Sequence, residues 1–140
     1  MSKLLERLKD AARSGAYRSS RREPIAEALH GSRLDAATVS FKDAGGKDAM
    51  LRALAQALAF PEWFGGNWDA LEDCLTDLSW RPADGYVLLL EDFNLNDELG
   101  ILIDVLASSA EFWAARGKPF FAVFIDPQRV LGLADLFRER

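Results

Sequence analysis

A chain of 140 residues, 49% of them apolar, has the size of one ordinary domain and enough nonpolar side chain for a core without disulfide staples. No stretch approaches the roughly 20 apolar residues of a membrane span, and the charged start MSKLLERLKD lacks the apolar region of a secretory signal; with Cys74 as the lone cysteine, the chain reads as a soluble, cytoplasmic protein with no membrane partner. The net charge of −5 is uneven: residues 1–22 carry seven basic side chains against two acidic, and the remainder ten against twenty, so phosphate backbones would repel the body and no direct nucleic-acid binding is expected.

The first 30 residues read as a basic, partly helical extension that uses Leu4, Leu5 and Leu8. The polar, Arg-rich stretch 14–23 separates the arm from the body, and Pro24–Leu29 starts a short helix that Gly31 ends. One reading of the arm is a solvated extension; the other is a flap that folds over the acidic body and screens it. Ala37–Phe41 is a short β-prone run. Lys47–Leu58 is rich in alanine and places Met50, Leu51, Leu54 and Leu58 at helical spacing. A loop from Phe60 to Gly66 follows, and Asn67 is a good N-cap for a helix running to about Leu78.

Tyr86–Leu90 (YVLLL) is a continuous apolar run, as in a strand buried on both faces. The pattern then predicts a long helix over about Asn96–Arg116, with Leu99, Leu102, Ile103, Leu106, Ala110 and Trp113 on one stripe and Gly117 at its end. Phe120–Ile125 is the last apolar strand, and Val130–Phe137 reads as a short terminal helix. Strands separated by helices give an α/β fold, a small three-stranded parallel sheet packed with helices. The main domain spans residues 31–126, and residues 127–140 form a C-terminal extension. No Gly-rich phosphate loop joins a strand to a helix, so no cofactor is expected.

The segment 67–78 carries the functional signal. At about 100° per residue, Trp68, Leu71, Cys74, Leu75 and Leu78 share a buried arc, and Asp69, Glu72, Asp73, Thr76 and Asp77 lie opposite. Asp69, Glu72 and Asp73 stand at i, i+3 and i+4, where like charges repel by a few tenths of a kcal/mol per pair. No lysine or arginine occurs between Ala53 and Trp80, and Trp63 and Phe64 precede the helix in a Gly-rich loop where full burial is difficult. A large aromatic beside a desolvatable charge cluster is the make-up of a binding hot spot; the alternative is a solvated helix face. Cys74 reads as a small core hydrophobe, and His30 as a surface residue.

The segment Pro61–Thr76, PEWFGGNWDALEDCLT, resembles the barstar-like family of ribonuclease inhibitors, whose pattern is a Pro-acid-aromatic-aromatic-Gly-x-Asn loop feeding a helix that reads Asp-Ala-Leu-x-Asp-Cys-Leu. The resemblance extends over about Ala37–Ile125. It implies a three-stranded parallel sheet with packed helices, and an immunity protein or antitoxin whose acidic helix and aromatic loop plug the cationic active site of a microbial ribonuclease in a one-to-one complex. A monomer is expected when free. On this resemblance the partner-binding residues are Trp63, Asn67, Asp69, Glu72, Asp73 and Thr76. Asp73 stands in for an RNA phosphate with Asp69 supporting it, and Asn67 and Thr76 lie at the rim. Two positions depart from the family: Glu72 stands where the type member has a tryptophan, and the family's distal glutamate falls at Glu111 or Phe112. Two rival readings exist. One is an immunity or regulatory protein for a non-nuclease partner. The other is a metal-dependent enzyme that groups Asp69, Asp73, Glu91 and Asp92 around a divalent cation, although no base or nucleophile pairing accompanies them.

Overall fold

The structure, a computed structural model, describes residues 2–137. In chain order its elements are α1 (Lys3–Leu8), a 3-10 turn (Ala11–Arg13), β1 (Gly15–Ser19), α2 (Glu23–Leu29), β2 (Asp35–Ser40), α3 (Lys47–Leu58), α4 (Trp68–Leu75), β3 (Tyr86–Glu91), α5 (Asp97–Ala114) and β4 (Phe120–Ile125). All strands run parallel, in the order β1-β4-β3-β2. Met1, and the last three residues of the 127–140 extension, lie outside the described residues.

The two continuous apolar runs form the centre of the sheet, as parallel strands covered on both faces must. Their side chains alternate between two cores. Tyr86, Leu88, Leu90, Phe120, Ala122 and Phe124 face the larger one, with α3, α4 and α5. Val87, Leu89, Phe121 and Val123 face the smaller one, which Leu4, Leu8, Ile25, Leu29 and Leu136 complete. α3 and α5 begin and end close to the ranges their spacing predicts, and Asn96 caps α5 by accepting from Leu99 N at 3.0 Å. Among the described residues no helix is long and apolar enough to cross a membrane.

The sheet has four strands, not three. β1 comes from the segment 14–23, read above as a polar separator. All five of its residues are half-buried and Tyr17 is the only large apolar one, so no alternation marks it in the sequence. It forms because β4 offers a free edge in register from Gly15↔Phe121 to Ser19↔Ile125, and Tyr17 stacks on Phe121 at 5.7 Å. The outer edge of β1 is covered in turn by the C-terminal segment: Arg18 N donates to Ala134 O and Leu136 N to Arg18 O, each at 2.9 Å. That pairing explains a second correction, since Val130–Phe137 is extended and irregular, not helical. The buried Asp126 carboxylate accepts from Val130 N at 3.0 Å and Leu131 N at 2.9 Å, turning the chain back toward β1.

The arm does not screen the acidic helix. α1 and α2 pack on the sheet face opposite α4. Two cations of the arm pair away from α4, Arg18 of β1 with Asp135 at 2.9 Å and Arg22 with Glu91 at 3.3 Å.

One glycine is fixed by close approach. A Cβ on Gly85, just before β3, would sit 2.5 Å from Pro119 Cγ, 2.8 Å from Leu34 Cδ2 and 2.9 Å from Pro119 O. Because Gly85 O also accepts from Asp35 N at 2.8 Å, the backbone cannot retreat without losing a ladder bond. Gly85→Ala is expected to destabilise the protein by about 1–3 kcal/mol, the usual range for overpacking. A thermal midpoint equal to wild type would show that the entry to β3 is not as tight as described.

Candidate functional site

The site begins where α3 stops. Ala59 takes the left-handed conformation (φ 53°) that ends the helix, and Phe60 N donates back to Ala55 O at 2.9 Å. The loop then folds on its own aromatics. Phe60 packs edge-on against Phe64 at 4.9 Å and against Trp80 at 5.9 Å, and Phe64 N closes the turn on Pro61 O at 3.0 Å. Gly66, at φ +71°, supplies the left-handed residue before the helix, and Asn67 Oδ1 accepts from Ala70 N at 2.7 Å, starting α4.

This construction leaves Trp63 pointing outward, 59% exposed, yet supported on one side. Its ring meets Trp80 edge-on at 6.1 Å, and Trp80 is fixed by donating Nε1–H to Leu58 O at 3.0 Å. Trp80 is the residue of the candidate site that sequence reasoning missed. It lies seventeen positions from Trp63 in another loop, and no periodic pattern links the two.

α4 buries Leu71, Cys74 and Leu75, with Trp68 half-buried and Leu78 buried just beyond. Asp69, Asp73 and Asp77 are exposed on the far side, and Glu72 and Thr76 are half-buried. Among the described residues no ion pair involves Asp69, Glu72, Asp73 or Asp77. The helix N-terminus offsets the charge of Asp69 in the first turn, and the effect fades toward Asp73. Thr76 donates its hydroxyl to Glu72 O at 2.8 Å, so its oxygen remains chiefly as an acceptor. Asn67 has spent its carbonyl on the cap, and its amide group remains to donate.

Beneath this face the Cys74 thiol is pushed up to about 11, first by burial and then by the negative charges of Asp77 and Asp73. It stays protonated at neutral pH and contributes packing, not thiolate chemistry.

The carboxylates proposed for a metal do not converge. Glu91 pairs with Arg22, and Asp92 accepts from Ser40 Oγ at 3.0 Å, both at the carboxyl end of β3. Among the described residues no group of three or more His, Cys, Asp or Glu side chains is placed to hold a metal ion.

The fold and the surface together define the class, a parallel α/β domain that displays an unpaired acidic helix beside a supported tryptophan. The sequence matches the family model described as Barstar (barnase inhibitor) over residues 34–125. Comparison with curated proteins returns no match. The match covers well over half of the chain, and the chain belongs to the barstar family.

Proposed function

We propose that this chain is an intracellular inhibitor of a microbial ribonuclease, which it blocks by laying α4 and the Trp63 loop across the enzyme's cationic active site. The observation that carries the reading is the face of α4, where Asp69, Glu72 and Asp73 have no ion-pair partner among the described residues. Unpaired charges that repel one another gain energy when a cationic partner arrives. Asp73 occupies the site of an RNA phosphate and Asp69 supports it; Glu72 adds a third carboxylate. Trp63 is the aromatic contact, with Asn67 and Thr76 at the rim. Membership of a family described as barnase inhibitors supports the same partner class.

In this reading residues 31–126 form the binding module, and the extensions at either end complete the far side of the sheet. The complex is one-to-one and the free protein is a monomer. The reading is tested by measuring RNA cleavage by cationic microbial ribonucleases, barnase included, as this protein is titrated in. Cleavage by at least one of them should stop at equimolar inhibitor, and association should slow as salt rises. Absence of inhibition across the panel would overturn the reading.

A further inference from the structure

The end of α5 places a cation beside the acidic helix. α5 is the crossover between β3 and β4, with Leu102, Leu106, Ala110 and Trp113 in the larger core. Parallel crossovers are right-handed, which fixes the neighbour that each flank of the helix meets. At about 100° per residue, the flank of Ile103, Ala107 and Ala114 turns toward β1, and the flank of Val105 and Phe112 turns toward α4; Arg116, in the turn just past the cap residue Ala115, is held on Phe112. α5 does contact both β1 and α4. Trp113 Nε1 donates to Leu75 O at 2.7 Å, pinning the last turn of α5 to the last turn of α4. Phe112 and Arg116 therefore border the end of α4 that carries Thr76.

Arg116 is held in place. Its guanidinium carbon lies 3.5 Å from the centre of the Phe112 ring, and Nη1 donates to Phe112 O at 3.0 Å. The Phe112 ring is itself braced edge-on against Trp113 at 5.2 Å. A stacked guanidinium is weakly hydrated and already ordered, so little is lost when its remaining donors engage a further group. No carboxylate pairs with it among the described residues.

We propose that Arg116, stacked on Phe112, is a specificity-determining contact that recognises a carboxylate at the edge of the partner ribonuclease's active-site cleft. The proposal rests on the function proposed above. A uniformly acidic face accepts any cationic surface. A fixed cation at one end makes the pattern directional: negative over Asp69–Asp73 and at Asp77, with one fixed positive charge where the end of α5 borders Thr76. A partner whose cationic cleft is bordered by an acid is then favoured, and one with a cation at that place is repelled.

The competing role for Arg116 is local, because the same guanidinium satisfies a last-turn carbonyl of its own helix. Inhibition and stability separate the two. The probe is the ribonuclease that wild type inhibits most strongly in the panel above, with inhibition constants measured at low and moderate salt. Arg116→Glu is expected to weaken inhibition at least ~30-fold, and Arg116→Lys by roughly 3- to 10-fold, since an ammonium keeps the charge but not the planar fork. Both losses should shrink as salt rises, with thermal midpoints within a few degrees of wild type. Arg116→Glu inhibiting as tightly as wild type, or losing inhibition only in step with its thermal midpoint, would overturn the proposal while leaving the ribonuclease reading intact. If wild type inhibits no member of the panel, the reading fails and this proposal falls with it.

Discussion

Asp73→Ala is expected to weaken inhibition of the cognate ribonuclease by about two to three orders of magnitude, whereas Asp77→Ala should change it by no more than about threefold. The difference follows from position. Asp73 lies in the middle of the exposed face of α4, one turn from Asp69, and the Trp63 loop and the helix cap stand ahead of it. Asp77 lies past the cap residue Thr76, beyond the helical turns. A carboxylate at the centre of an interface is desolvated with its partner, and truncating one member of such a pair costs about 2–5 kcal/mol, a range for which the barnase–barstar complex of this family is itself a source. At about 1.4 kcal/mol per tenfold change, this corresponds to roughly 30- to several thousand-fold. A rim charge loses far less because water still screens it. The check is the inhibition constant for RNA cleavage by the two variants under one salt condition. Equal, small effects would remove phosphate mimicry by Asp73 from the account.

The second large effect concerns the arm. Deleting residues 1–22 is expected to abolish cooperative folding, although the family match begins only at residue 34. The deletion removes Leu4, Leu8 and Tyr17 from the smaller core and strips the sheet of β1. It uncovers Phe121 and Val123, both fully buried in the intact chain, and leaves the edge of β4 unpaired. Each large side chain lost from a core removes about 1.5–3 kcal/mol, against a total stability of roughly 5–15 kcal/mol for a domain. The free edge of an apolar strand also invites aggregation. A truncated protein with a sharp thermal transition near that of the full chain would show that the second layer is dispensable.

The same residues explain what could be read from the chain alone. Tyr86–Glu91 and Phe120–Ile125 declare themselves because a strand covered on both faces must be apolar at every position. Asn67 declares its helix because a side-chain acceptor is needed to satisfy the first amides. The acidic face and the buried seam of α4 follow from helical spacing, and the structure separates them as the wheel does. β1 stays hidden because GAYRS has no apolar alternation, and only the waiting edge of β4 makes it a strand. The segment after Asp126 has a helical pattern, but a buried carboxylate and the edge of β1 claim its backbone instead. Two packing contacts around the candidate site were equally invisible. Trp80 behind Trp63 and Arg116 over Phe112 depend on loop closure and crossover handedness, neither of which is a local property of the sequence.

The central claim is that α4 occupies the place where RNA phosphate binds. Initial rates of RNA cleavage by the inhibited ribonuclease, measured across a range of substrate concentrations at several fixed inhibitor concentrations, test it most directly. Because binding that stops cleavage at equimolar inhibitor depletes the free inhibitor, the rates are fitted with that depletion included. The account predicts an apparent inhibition constant that rises linearly with substrate concentration, as competition with RNA requires. An apparent inhibition constant independent of substrate would place the inhibitor away from the phosphate site and contradict it.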